Sequence, residues 1–150
     1  MALTAGQIPK VANVLNGAIA VLTGTTIGTL GSNTNGITGY TAGTSGGRII
    51  SIMASTDDTV TINVFVYIFR SSTVIPIGLV NIPLSSGNTN AARFPVDFLN
   101  GTNLPGLPID NTGRQYIPLI AGDILKFTTL AAVTAAKSAW ITISGVDYQA

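Results

Sequence analysis

The chain has 150 residues, enough for one domain with a substantial core, and it contains no histidine, no cysteine and no glutamate. Those absences remove the usual neutral-pH bases, thiolate nucleophiles and soft metal ligands, and leave six aspartates to carry all acidic chemistry. Seven Lys or Arg balance those six Asp with no basic run among them, so nucleic-acid binding by phosphate neutralisation is not expected.

Charged residues make up only 9% of the chain, and small neutral residues take their place: 20 Thr, 10 Ser, 11 Asn and 17 Gly. A surface with so little charge is poorly protected against its own copies, which predicts an oligomer. The mean hydropathy of +0.49 does not come from a membrane segment. The densest apolar run, Val64 to Phe69, has strand length, far short of the roughly 18 apolar residues of a spanning helix. Met1 to Gly6 carries no basic side chain and Lys10 follows Pro9, so no export signal is read there.

Residues 1–45 and 46–150 differ in character. The first part holds one apolar block, Gly17 to Leu22, and then the run TGTTIGTLGSNTNGITGYTAGTSGG, which keeps no period of 3.6 or 2. A short helix or turn near Pro9 to Leu15 and a strand at Ala18–Leu22 are the elements expected here. Such a Gly/Thr/Asn-rich run has too little apolar surface to order itself. Residues 1–45 are therefore predicted to form an extended N-terminal arm whose Ile8, Val11, Val14, Leu15, Ile19, Val21 and Leu22 pack on a partner.

From Gly46 onward short β-rich segments alternate with turn residues: Arg48–Ser55, Thr59–Arg70, Thr73–Leu84, Ala92–Phe98, Arg114–Leu119, Asp123–Leu130 and Lys137–Tyr148. Strands at this spacing predict an all-β antiparallel sandwich or barrel over 46–150. Thr59–Ile68 alternates most clearly, with Val60, Ile62, Val64, Val66 and Ile68 on one face. Phe65 and Tyr67 place aromatic surface on its other face, which implies cover by another layer or subunit. The last strand sets Ala139, Ile141 and Ile143 against Trp140 and Thr142, and Trp140 joins Phe65 and Tyr67 as a candidate partner contact. Six of the seven prolines fall in or beside the other segments, so Thr59–Arg70 and Asp123–Tyr148 are predicted to be central strands.

Asp57–Asp58 is the only adjacent carboxylate pair. It reads as a solvated turn capped by its own side chains; Ca²⁺ ligation is the alternative, but no D-x-D-x-D-G loop supplies the 6–8 oxygens calcium takes. Neither a phosphate-binding glycine motif nor an S-x-x-K or G-x-S-x-G arrangement occurs. Asp97, Asp110, Asp123 and Asp147 would have to converge in space to make a glycosidase pair, and no enzymatic activity, metal or organic cofactor is expected. Trp140, Tyr67, Tyr40 and Tyr148 would make a sugar-stacking platform if one face gathered them.

The segments GGRIISIMASTDDTVTINVFVYIF, IPLIAGDILKFTT and SAWITISGVDYQA resemble small jelly-roll proteins of tailed-bacteriophage heads. The resemblance spans residues 46–150 and rests on a G-x-R-I strand, an alternating V-x-V-x-V-x-I strand, an I-x-A-G-D-x-L strand and a C-terminal G-x-D-Y. It implies a capsid decoration, or cement, protein: a homotrimer on the outer capsid surface that clamps neighbouring major capsid proteins, without catalytic residues. Gly122 and Asp123 match the family's turn, Gly for the backbone conformation and Asp for bonding the turn's amides. A head-fibre base or tail component and a carbohydrate-binding module are the alternative expectations.

Overall fold

A computed structural model describes residues 12–24, 28, 36–87 and 94–148. Among the described residues nine strands are formed: β1 Ala12–Leu22, β2 Ile37–Thr41, β3 Gly47–Thr56, β4 Ile62–Arg70, β5 Thr73–Ile82, β6 Val96–Asp97, β7 Ile117–Leu119, β8 Ile124–Thr129 and β9 Ala139–Tyr148. No helix long and apolar enough to cross a membrane occurs among the described residues. One sheet runs β1-β9-β3, with β6 and β7 both pairing the far edge of β3; the other runs β2-β8-β4-β5. All pairings are antiparallel. This is the strand order of a jelly roll, two antiparallel sheets between which the chain crosses repeatedly, with β4 and β5 joined as a hairpin within one sheet.

The two inner faces meet in one core. Leu22, Ile49, Ile52, Ile141 and Ile143 come from the first sheet, and Val64, Val66, Leu125 and Phe127 from the second. Phe98, in the turn after β6, meets Phe127 edge to face with ring centroids 6.3 Å apart. β4, β8 and β9 are central strands, as the absence of proline in those segments predicts. Pro76 and Pro118 lie in β5 and β7, at sheet margins where a missing amide leaves no ladder bond unmade.

The division at residue 45 is not a division of the fold. β1 pairs with β9 from Ala12 to Leu22, and Leu22 is fully buried; β2 pairs with β8. The predicted helix or turn near Pro9 to Leu15 is, from Ala12 onward, part of β1; residues 9–11 lie outside the described ones. The physical reason is that the outer flank of β9 needs a covering strand, and the inward side chains Ala18, Ala20 and Leu22 supply a close-packing face. In β2 the glycine that reads as loop is a packing device: a Cβ on Gly39 would collide with the ring of Phe127 from the neighbouring strand β8. Glycine in a strand here marks the close approach of a neighbouring side chain.

Phe65 and Tyr67 are also interior, at 2% and 0% exposure, and stack with centroids 5.3 Å apart. Their cover comes from this chain, not from a partner. Gly36 abuts the Tyr67 hydroxyl so closely that no Cβ fits, and the Gly28 amide bonds the Thr129 carbonyl on β8. Gly36 thus lies against the side of the second sheet on which Phe65 and Tyr67 project.

Candidate functional site

The cross-strand register of β1, β9 and β3 builds the outer face of the first sheet row by row. Val21 lies opposite Trp140, which lies opposite Ser55; Ile19, Thr142 and Met53 form the next row; Leu15 and Val146 stand further along. Since side chains alternate between faces, Leu15, Ile19 and Val21 project together while Ala18, Ala20 and Leu22 enter the core. Leu15 and Ile19 are 70% and 67% exposed, Val21 and Trp140 each 40%. The result is an apolar stripe along an edge strand of eleven residues, about 36 Å long at the usual rise.

Electrostatics leave this stripe without a countermeasure. β1 contains no charged residue and no proline, and the outward positions of β9 beside it are Trp140, Thr142 and Ser144. Edge strands are ordinarily guarded by charges, prolines or bulges. β1 has one bulge, between Ala12 and Val14, near its start. What the arrangement can do chemically is associate: exposed apolar area and an unguarded strand margin offer burial and ladder bonds to a partner.

Of the ten residues the sequence singles out for partner contact, the structure brings Leu15, Ile19, Val21 and Trp140 together on this face. Leu22, Phe65 and Tyr67 are buried within the chain. Val14 lies in β1 by its backbone, and Ile8 and Val11 fall outside the described residues. Met53, which joins the same face from β3, carries no sequence signal of its own. Alternation over Leu15 to Leu22 was the legible signal, obscured by small residues on both faces.

The aromatic platform does not assemble, because Tyr40 and Tyr67 are both buried away from Trp140. The Tyr40 hydroxyl donates to Asp147 Oδ1 at 2.9 Å, and Asn16 Nδ2 donates to Asp147 Oδ2 at 2.9 Å, tying β2, β9 and β1 together. Burial, followed by opposing effects of Asn16 and Asp147, pushes the Tyr40 phenol above its ordinary pKa. Tyr67 is pushed up to about 12 by burial, and its hydroxyl finds no hydrogen-bond partner among the described residues.

The aspartates serve separate local networks. Asp58 is buried rather than solvated: Thr134 donates both its amide (2.8 Å) and its hydroxyl (2.6 Å) to it, and the Val60 amide closes the expected turn at 3.1 Å. Burial works against its charge, but these bonds outweigh it and hold the carboxyl below the usual range. Asp57 accepts from the Ser138 amide and faces Lys137 at 3.7 Å. Among the described residues no three such ligands gather around a metal position. Gly122 takes φ +79°, and Asp123 accepts the Ile120 amide at 2.9 Å, the two turn roles that the resemblance implies. Asp123 also receives a bidentate pair from Arg70, both contacts 2.7 Å; that bond lowers its pKa against burial.

No protein family matches this chain, and no curated protein sequence does either.

Proposed function

We propose that this chain is a virion structural protein, a decoration protein on the outer surface of a bacteriophage capsid that self-associates as a trimer and bridges major capsid proteins. The observation that carries this reading is the uncharged apolar stripe of Leu15, Ile19, Val21 and Trp140 on a long, unguarded edge strand of a jelly roll. The motif resemblance in residues 46–150 supports it from the sequence side. A jelly roll by itself does not select a function, so the argument rests on the surface. Each contact would bury an ordinary interface of about 1,600 Å² or less, and a trimer spanning several capsid subunits gains avidity because its later contacts become intramolecular.

The test is co-sedimentation of the purified protein with expanded heads that lack it, followed by imaging of the decorated particle. Density at repeated capsomer junctions, together with a trimer mass by light scattering, supports the proposal. Density confined to one vertex or to the tail selects the head-fibre or tail role instead. A monodisperse monomer that leaves heads bare refutes the proposal.

A further inference from the structure

A cleft of about 560 Å³ crosses the same outer face on the side away from the apolar stripe, where β6 and the hairpin of residues 109–115 meet the far margin of β3. Its volume lies in the range of small-molecule sites, roughly 300–1,000 Å³. Its walls are built before any ligand arrives. Asp97 Oδ1 accepts the Leu99 amide at 2.9 Å, fixing one wall. Asp110 accepts the amides of Thr112 and Arg114 at 2.8 and 3.0 Å, fixing the other.

The polar groups along these walls have unused capacity. Arg114 is the one basic side chain among the described residues with neither an ion pair nor a ring contact: Arg70 and Lys137 are salt-bridged, and Arg48 and Lys126 lie over aromatic rings. Asp97 keeps its second carboxylate oxygen unbonded among the described residues, although Arg114 lines the same cleft. Ser51 contributes a hydroxyl, and Gln115 Oε1 is buried without a partner among the described residues. Apolar floor and rim come from Ile50 and Ile109, the latter 63% exposed.

We infer that this cleft binds a neutral sugar. One carboxylate and one guanidinium cancel, so the cleft has no net charge with which to select an ion. Its free groups include an obligate acceptor in Asp97, an obligate donor in Arg114, and a hydroxyl that does either. A ligand whose own groups both donate and accept satisfies such a mixed set without leaving one unpaired, and hydroxyl groups do this. Ile50 and Ile109 then face the C–H surface of the ring. The cleft is shallow and open, so affinity per site is weak, and an array of copies would raise it through multivalency.

The experiment is an amide NMR titration of the full chain with methyl glycosides of glucose, galactose, mannose and N-acetylglucosamine at millimolar concentrations. Glycine and citrate serve as zwitterionic and anionic comparisons. The inference expects saturable shifts from at least one glycoside at residues 97–101 and 113–115. Arg114→Met removes a guanidinium with no ion pair or ring contact among the described residues, and Asp97→Asn keeps an acceptor for the Leu99 amide, so both variants retain the fold. Each should weaken the glycoside at least tenfold. The inference is overturned if no glycoside saturates, if glycine or citrate alone binds, or if both variants bind the sugar as the natural chain does. Head binding is a separate measurement and does not move with these outcomes.

Discussion

Replacing Leu15 and Ile19 with threonine separates association from folding. Threonine keeps the β-branched shape a strand favours and removes most of the apolar area. Full burial of a Leu or Ile side chain is worth about 1.5–3 kcal/mol. These two retain 70% and 67% of their exposure in the folded chain, so a partner covering them can gain about 1–2 kcal/mol from each. The double variant should therefore lose about 2–4 kcal/mol at every contact that uses the stripe, roughly 30-fold to 1,000-fold in affinity. Folding stability should change by about 0.5 kcal/mol per site or less, as for other surface positions. Leu22→Ala on the same strand is the counterpart: Leu22 is fully buried, and its truncation should cost about 2–5 kcal/mol of folding stability. Light scattering reads oligomer mass, co-sedimentation reads head binding, and denaturant titration reads folding. A double threonine variant with unchanged mass and unchanged head affinity would refute the assignment of the stripe as an interface.

Deleting residues 1–24 should abolish folding rather than release a binding arm, because it removes β1 from β9; circular dichroism of the truncated chain checks this. Tyr67→Phe should raise neutral-pH stability by about 1 kcal/mol, since it removes a buried hydroxyl without a described partner. The tyrosine pKa rises on folding from about 10 to about 12, so the stability present below pH 10 is lost as pH climbs toward 12, and the Phe variant should lack that part of the alkaline loss in thermal melts. At the acid end Asp123 has a lower pKa folded than unfolded. Its contribution is present above about pH 4, the unfolded value, and is lost as pH falls through the folded one. Asp123→Asn should cost stability at pH 7 and flatten the acid limb, while the absence of histidine leaves the natural chain nearly flat between about pH 5 and 8.

Where a strand alternates apolar and polar residues, the sequence was enough to find it, and β3, β4, β8 and β9 were all legible in that way. The turn at Gly122 and Asp123 was legible too, because positive φ and a capping carboxylate leave residue-type signatures. β2 was not. Its ITGYT reads as loop until Phe127 occupies the space a side chain at Gly39 would need, and Phe127 comes from β8, a strand that pairs with β2 but lies far along the chain. For Phe65 and Tyr67 the sequence left open whether a further layer or a subunit covers them; they are buried within the chain, and Gly36, which abuts the Tyr67 hydroxyl, carries no signal of that contact. The 109–115 cleft had no local signal at all. Asp97 and Arg114 are brought to one place only because β6 and the chain around β7 both return to the free margin of β3.

Low charge and the apolar stripe have one origin in the way this fold uses its few carboxylates. All six aspartates accept hydrogen bonds within the chain: Asp57 and Asp58 hold the 134–138 loop, Asp97 and Asp110 cap turns, Asp123 holds Arg70, and Asp147 joins Tyr40 to Asn16. Their hydrogen bonds hold turns and tie strands together, so most of the chain's few charges also serve the fold. Among the described residues two cations form ion pairs and two lie over rings, and Arg114 alone does neither. The apolar stripe on β1, a strand without a charged residue, cannot rely on long-range steering, which needs an extended field. Association through it depends on shape and apolar burial, the kind of contact that tolerates changes in ionic strength and that a repeated, symmetric shell can multiply.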